Sequence, residues 1–259
     1  MSENAPGSVN SQPVTGVSEI GHFDFMGTRL DRITVDEFIE WSQQQLTAGS
    51  ATFVTYLNAY CSNIAAKNAA YRELLKRANC VYADGMGVVW GARFLNQSVP
   101  QRVNAADFIL QFLAMCAANN FSVGLIGSAD GVAIRAAERF KSEVPGLKIS
   151  VVLSGYIKSN TDTIAAIRQA KPNILMVGMG VPLQETWVAE NRALLAVPYI
   201  WCVGAMFEFY AGYTRRAPAW MCRVGLEWLF RLIMEPRRMA KRYLIGNAVF
   251  LSRVLRAKF

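Results

Sequence analysis

The chain has 259 residues, of which 53% are hydrophobic, enough for one well-buried α/β domain with or without an appendage. Its mean hydropathy of +0.19 is high, yet the apolar runs at 226–234 and 244–251 are far shorter than the roughly 20 apolar residues of a membrane-spanning helix. The net charge is +8, and the five scattered cysteines include no C-x-x-C pair, which favours free thiols in a reducing compartment over disulfides or a zinc site.

The N-terminal segment is rich in Ser, Asn, Gly and Pro and has neither a basic start nor an apolar run. We therefore predict a disordered tail over residues 1–20 and no signal peptide. From residue 21 to residue 211, apolar β-branched runs alternate with helical patterns, which predicts a Rossmann-like three-layer α/β domain with a mostly parallel sheet. The predicted strands are 52–57, 80–83, 122–126, 148–153, 173–177 and 199–203. The predicted helices are 34–46, 61–77, 87–94, 105–118, 131–144, 162–170 and 183–195.

Residues 212–259 form a predicted basic appendage with two amphipathic helices, at about 219–234 and 237–259. This segment has eleven Lys and Arg against two Asp and Glu, so it contains the whole basic excess of the chain. An apolar face beside a basic face is typical of a helix in the interface of an anionic bilayer. Docking on the protein's own core and binding to nucleic-acid phosphates are the alternatives, and a second copy of the chain is another partner for the apolar face. The high apolar content and the lack of a nucleic-acid-binding module favour the membrane.

Several kinds of site are excluded by what the sequence lacks. His22 is the only histidine, which argues against histidine-based hydrolysis and His-rich metal sites. The chain has no P-loop motif and no Asp-x-Asp, and Gly178-Met179-Gly180 lacks the third glycine of a dinucleotide fingerprint. Proton transfer therefore falls to carboxylates, and the neutralisation of phosphate charge falls to arginines.

Asp84 is the strongest carboxylate candidate, because it follows an apolar strand and precedes a helix, where parallel α/β sheets bind ligands. It is suited to take a proton from an attacking hydroxyl, and its alternative role is the N-cap of the next helix. Arg102, in a loop before a helix, is suited to pair with a phosphate, and its alternative is an ordinary surface arginine.

Gln184 lies in segment 181–187, which opens a helix directly after a glycine-rich strand end. Such a helix start suits a phosphate or a sugar hydroxyl, and the alternative is a helix-capping device. The loop at 127–131 fits a nucleotide equally well as an ordinary strand-to-helix turn.

Taken together, the motifs resemble those of the WecG/TagA/CpsF family of glycosyltransferases, from about Phe53 to the C-terminus. The resemblance is carried by Asp-Gly-x-Gly-Val-Val, Arg-Val, Gly-x-Gly-x-Pro-x-Gln-Glu-x-Trp and two appendage motifs, at 84–89, 102–103, 178–187, 211–218 and 225–233. It implies an inverting, metal-independent transfer of a sugar from a UDP-sugar to an undecaprenyl-diphosphate-linked glycan in exopolysaccharide or cell-surface polysaccharide biosynthesis. The enzyme would be cytoplasmic, peripheral on the inner face of the plasma membrane, without a cofactor and without a nucleic-acid partner.

The resemblance also implies roles for particular residues. Asp84 matches the proposed base, and the appendage would supply further arginines to the active site. The matching substrate-binding residues are Thr55, Asn58, Arg102, Gln184, Arg231 and Arg238, with Lys241 or Arg242 as an additional cation. Thr55 is offset by one position from the usual Thr-x-Asn pattern.

A second departure concerns the donor sugar. The usual Gly-Gly-Ser/Thr-Phe-Asp segment is replaced by Gly-Ala-Met-Phe-Glu at 204–208. The larger Met206 and the lost hydroxyl favour glucose or another plain hexose over N-acetylmannosamine, with N-acetylated or uronic sugars as rivals. A non-catalytic, membrane-bound nucleotide-sugar-binding scaffold is the alternative from another functional class.

Overall fold

The computed structural model describes residues 20–259, apart from the side chains of Ala219 and Arg223. The predicted disordered tail, except for Ile20, lies outside the described residues. Across 20–259, no helix combines the length and the apolar character that crossing a bilayer requires. All five cysteines are buried and unpaired, as predicted.

The domain begins with an antiparallel hairpin that the sequence did not predict, formed by β1 (His22–Phe25) and β2 (Thr28–Asp31). His22, the only histidine of the chain, therefore opens a strand. The turn uses positive φ angles at Met26 and Gly27, as the tightest hairpin turns do. The buried Asp31 carboxylate at the end of β2 accepts the backbone N–H of Val81 at 2.7 Å, which fastens the hairpin to the neighbouring sheet.

A six-stranded parallel sheet follows, and it confirms the predicted fold class. Its strands are β3 (Thr52–Leu57), β4 (Cys80–Ala83), β5 (Ser122–Gly127), β6 (Lys148–Ser154), β7 (Ile174–Gly178) and β8 (Tyr199–Cys202). The spatial order is β4-β3-β8-β7-β5-β6, with Thr55 beside Val81 and Val54 beside Trp201 in the parallel register. The carboxyl ends of β3, β4, β7 and β8 therefore meet at one edge, where ligands bind in open α/β sheets.

Helices cover both faces of this sheet. They are α1 (Val35–Thr47), α2 (Ala59–Lys67), α3 (Ala69–Arg77), α4 (Met86–Phe94), α5 (Ala105–Ala118), α6 (Val132–Glu143), α7 (Asn160–Ala170), α8 (Leu183–Leu195) and α9 (Met206–Tyr210). The predicted capping box at the start of α1 is present, since Thr34 and Glu37 each accept the other's backbone N–H. The single helix predicted at 61–77 is wrong. Asn68 leaves the helical conformation and its side chain accepts the N–H of Tyr71, so one helix ends and another begins there.

The appendage is also more broken than the two predicted helices. It contains α10 (Ala219–Arg223), α11 (Glu227–Met234), α12 (Pro236–Ala240), a π-helical turn (Lys241–Ile245) and α13 (Gly246–Lys258). The first predicted helix is interrupted at Gly225, whose φ of +76° is left-handed. The second begins one residue earlier than predicted and passes through the π-helical turn.

One face of α13 packs on the α/β domain, which is the docking alternative of the sequence analysis. Phe250 and Val254 are buried beside α4, and Gly91 is the residue of α4 that lets α13 approach. Hydrogen bonds fix the same contact: Arg253 donates to the Ser62 carbonyl at 2.9 Å, and Asn63 donates to the Gly246 carbonyl at 2.7 Å. Other apolar side chains of the appendage, among them Ile233, Leu244 and Ile245, remain exposed, so docking accounts for only part of its apolar surface.

Candidate active site

A cavity of about 650 Å³ opens at the carboxyl ends of the central strands. The sheet side contributes Asn58 after β3, Asp84 after β4 and Gly204 after β8. The appendage contributes the opposite wall, which includes Glu227, Trp228, Arg231, Arg242, Tyr243 and Phe250. The site is therefore assembled from two parts of the chain that are distant in sequence.

Asp84 lies on the cavity wall with both carboxylate oxygens held by amide groups. Asn104 Nδ2 donates to Oδ1 at 2.6 Å, and Asn58 Nδ2 donates to Oδ2 at 3.2 Å. The N-cap position of α4 belongs to Gly85, and that cap has no side-chain hydrogen bond. The capping alternative for Asp84 is therefore wrong, and the carboxylate is free to act on a ligand.

The two asparagines are themselves fixed by helix capping. Asn58 Oδ1 accepts the N–H of Cys61 at the start of α2, and Asn104 Oδ1 accepts the N–H of Ala106 at the start of α5. Because each amide oxygen faces a backbone donor, each amide nitrogen must point to Asp84. The orientation of the carboxylate is thus set by two helix N-termini.

The environment raises the pKa of Asp84 above its ordinary value. Burial is the main cause, and the negative charge of Glu227 adds to it. Arg102 and the two asparagines oppose the shift by favouring the charged form. A carboxylate with a raised pKa holds a captured proton more tightly, which suits a general base.

Arg102 is part of the cavity wall rather than an ordinary surface residue. Its side chain is only 14% exposed and donates to Glu227 Oε2 at 3.1 Å, with a second ion pair to Asp107. The Glu227 contact joins the α/β domain to α11 of the appendage. Arg102 therefore lies where the two walls of the cavity meet, and its positive charge lowers the pKa of Asp84.

Two appendage arginines face the cavity. The guanidinium of Arg231 lies 5.5 Å from the ring centre of Phe209, and that of Arg242 lies 4.5 Å from the ring centre of Tyr60. The Nε atoms of both are buried and have no hydrogen-bond partner within the described residues. Two cationic groups with unused donors in one cavity suit a diphosphate.

Arg238, predicted to bind substrate, is not brought to the cavity. Its side chain is 54% exposed and does not line the cavity; its Nε donates to Glu235 at 2.7 Å, and its Nη2 lies 3.8 Å from Glu208 Oε2. Lys241 is also exposed, so Arg242 is the member of that pair that faces the site.

Thr55 and Gln184 also differ from their predicted roles, because both are fully buried behind the cavity floor. Each donates to Glu185 Oε1 at 2.8 Å. Gln184 Oε1 accepts the backbone N–H of Gly204 at 3.1 Å, and Gly204 does line the cavity. Gln184 thus supports the floor through the backbone and is neither a helix cap nor a cavity-lining group. Residues 127–131 do not line this cavity either.

The sequence analysis missed three groups of the site. Asn104 was not singled out, although an asparagine directly before a predicted helix is a visible N-cap signal. Glu227 sits inside a motif that was used only for the resemblance. Trp90, about one turn into α4 from Met86, lines the cavity and was not predicted at all.

In the described part of the chain, no three His, Cys, Asp or Glu side chains form a group that could hold a metal ion. Metal independence stays a prediction, and its physical basis is the set of cavity-facing arginines.

The amino-acid sequence of the chain is similar to those of known proteins. The model of the Glycosyl transferase WecG/TagA/CpsF family matches residues 23–259. An N-acetylglucosaminyldiphosphoundecaprenol N-acetyl-beta-D-mannosaminyltransferase of Bacillus subtilis (strain 168) is 29% identical over 185 residues, 71% of this chain and 72% of that protein. The enzyme of the same name from Staphylococcus aureus (strain MW2) is 27% identical over 245 residues, 93% of this chain and 95% of that protein.

Proposed function

Because the chain belongs to the WecG/TagA/CpsF family and is a glycosyltransferase, we propose that it moves a hexose-type sugar from a UDP-sugar to a polyprenyl-diphosphate-linked glycan. One observation carries the proposal. A carboxylate held by two amides, Asp84, shares a cavity with Arg102, Arg231 and Arg242. This is the pairing of a base with phosphate-binding cations that the reaction needs.

In the proposed reaction, Asp84 accepts the proton of the acceptor hydroxyl as its oxygen attacks the anomeric carbon of the donor. The new C–O bond forms while the bond from the anomeric carbon to the phosphate oxygen breaks, and UDP leaves with the bonding electrons. A single displacement inverts the anomeric configuration. The proton on Asp84 then passes to solvent, and the base is restored.

The departing UDP gains negative charge, which must be neutralised without a metal. Arg231 and Arg242 offer buried guanidinium donors that protein groups leave unused. Arg102 offers further donors once its contact with Glu227 is exchanged for a phosphate oxygen. Such groups, oriented before the reaction, stabilise the transition state because they need little rearrangement.

The acceptor proposal rests on the relatives, whose names specify an N-acetylglucosaminyl-diphosphoundecaprenol acceptor. A polyprenyl-linked acceptor resides in a membrane, so we place this enzyme on the anionic cytoplasmic face of the plasma membrane. The exposed apolar side chains Ile233, Leu244 and Ile245 lie on the basic appendage, as such a location requires. The pathway would be exopolysaccharide or cell-surface polysaccharide biosynthesis.

Two donor sugars are in competition. The names of the relatives favour N-acetylmannosamine. Ala205 and Met206, which line the cavity where the family usually has glycine and a hydroxyl residue, favour glucose or another plain hexose.

The test is an incubation of the purified protein with a panel of UDP-sugars and a short lipid-diphosphate-linked acceptor in EDTA, with UDP release and acceptor mass as readouts. We expect one donor to give both UDP and a heavier acceptor. Asp84→Asn should lower kcat by about 100-fold or more, since a general base contributes at least that much. Asp130→Asn, an exposed carboxylate outside the cavity, is the matched control.

A scaffold that binds nucleotide-sugars would behave differently. It would bind UDP-sugars by calorimetry, yet give no UDP and no heavier acceptor with any donor in the panel. Full turnover by Asp84→Asn would instead show that this carboxylate is structural.

A further inference from the structure

An apolar groove leads out of the active-site cavity between α4 and α13. Trp90 and Phe94 lie four residues apart on α4, and Leu251 and Leu255 lie four residues apart on α13, so each pair occupies one face of its helix. All four line the cavity, and their exposed fractions are 54%, 42%, 58% and 43%. The floor between the two pairs consists of Gly91, Phe250 and Val254. We call this surface the α4–α13 groove.

The groove begins at the point of reaction. Helix α4 starts at Met86, two residues after Asp84, and Trp90 and Phe94 are about 6 Å and about 12 Å further along its axis. At the inner end lie the guanidinium groups of Arg231 and Arg242, whose Nε atoms have no partner in the described residues. The cavity thus has a cationic inner part that continues directly into an apolar outer part.

A cationic inner part that continues into an apolar outer part matches a molecule with a charged end and an apolar chain. A partly exposed cluster of two large aromatic and two leucine side chains in a concave surface indicates a bound apolar group. Its continuity with a cationic, diphosphate-sized site indicates that the apolar group is attached to a diphosphate. A flat membrane surface would instead meet Ile233 and Leu244, which are exposed and do not line the cavity.

We propose that the α4–α13 groove holds the isoprenoid units of the acceptor that are nearest to its diphosphate. This inference rests on the proposed function, which supplies the polyprenyl-diphosphate acceptor. In the groove, the chain would enter from the membrane past Phe94 and Leu255 and end with its diphosphate beside Arg242. The acceptor sugar would then face Asp84.

Binding is tested first, without catalysis. The full-length protein is irradiated with a benzophenone-bearing geranylgeranyl diphosphate, and the cross-linked peptides are identified by mass spectrometry. We expect cross-links within 90–94 or 251–255, and competition by unlabelled geranylgeranyl diphosphate. Cross-links confined to the peptides around Ile233 or Leu244 would overturn the groove, as would the absence of any competed cross-link.

Kinetics then tests whether the groove selects the lipid. The readout is the ratio of kcat/KM for an acceptor with four isoprene units to that for an acceptor with one. Leu251→Ser should lower this ratio about tenfold, as expected for the loss of one apolar side-chain contact. Leu244→Ser is the matched control, since both leucines are exposed to the same extent on the appendage but only Leu251 lines the groove.

The outcomes separate the two proposals. If both leucine variants lower the kcat/KM ratio equally, general contact with lipid explains the effect and the proposal that the groove binds isoprenoid is wrong. If the probe cross-links in the groove but no UDP-sugar is transferred to any acceptor, the groove stands and the proposed reaction fails. If transfer occurs and the ratio is unchanged in Leu251→Ser, the reaction stands and the groove fails.

Discussion

Glu185 is a carboxyl group enclosed in the core, directly behind the loop after β8. Its Oε1 accepts hydrogen bonds from Thr55 and Gln184, whereas its Oε2 is buried and has no partner among the described residues. Burial raises its pKa from 4.5 to about 7, although the two hydrogen bonds oppose the shift. At neutral pH the group therefore exchanges between a neutral form that suits the core and a charged form that does not.

This pKa predicts how stability depends on pH. Between pH 4.5 and 7 the folded protein keeps the proton on Glu185 while the unfolded chain has lost it, so the free energy of unfolding falls as pH rises. The loss amounts to about 3 kcal/mol from this group. Glu185→Gln should remove that part of the slope and should be more stable than the parent at pH 8, as measured by urea unfolding.

Glu190→Gln, on the exposed side of the same helix, is the control and should leave the slope unchanged. A Glu185→Gln protein with the parent's full pH dependence would contradict the assignment of that slope to Glu185.

Single residues were predicted well where the backbone alone determines their position. Asp84 and Asn58 directly follow parallel strands, and that edge of the sheet must carry the ligand site. Thr55 and Gln184 were matched from the same motifs, but both side chains point into the core toward Glu185. A linear motif records which residue is present and gives no direction for its side chain. The motif likewise gave no direction for Arg238, which lies outside the cavity because neighbouring helix positions face different ways.

At the scale of elements, the contact between α4 and α13 determines whether the cavity has its second wall. Gly91 makes this contact possible: a Cβ there would lie 3.3 Å from both Phe25 and Val254 and 3.4 Å from Phe250. A larger side chain cannot be accommodated unless α13 moves away.

We therefore expect Gly91→Leu to detach α13 while leaving the sheet intact. Hydrogen exchange should become faster for the amides of Gly246–Lys258 and stay unchanged for those of β3 and β8. Sugar transfer should fall by about tenfold or more, because Phe250 and Leu251 leave the cavity wall. Arg93→Leu, on the exposed face of α4, should change neither quantity, and unchanged exchange in Gly91→Leu would show that the packing tolerates the side chain.

The elements of the parallel sheet were predictable because its strands are apolar runs, all but the edge strand β6 mostly buried, that alternate with helices. The hairpin at 22–31 was not, since its two short strands mix polar and apolar residues and contain no apolar run like those of the equally short β4 and β8. The break at Asn68 and the π-helical turn at 241–245 arise from local capping and backbone geometry, to which hydrophobic periodicity is insensitive.

The whole molecule is electrically polarised, since residues 212–259 contain all of its net positive charge. In the structure this charge lies on the same segment as the exposed side chains of Ile233, Leu244 and Ile245. Such a surface predicts binding to anionic lipid that depends on both charge and apolar contact.

Vesicle co-sedimentation tests this prediction. Binding to phosphatidylglycerol vesicles should weaken about tenfold when the salt concentration rises from about 50 mM to about 500 mM, since screening shortens the reach of surface charge. Lys241→Glu should weaken binding in the same direction, whereas Lys141→Glu, an exposed lysine on α6, should not. Equal binding to uncharged vesicles, or preferential binding to nucleic acid, would contradict the membrane role.

The Asp31 carboxylate has a consequence for contacts between copies of the protein. Strand β4 lies at the edge of the sheet, and the N–H of Val81 would be available to a strand from a neighbouring protein. Asp31 occupies that donor and places the β1–β2 hairpin beside it. Confinement to a surface raises local concentration steeply, and open strand edges then promote aggregation. A carboxylate that closes this edge therefore removes one route to irreversible self-association, which matters most at the membrane location proposed above.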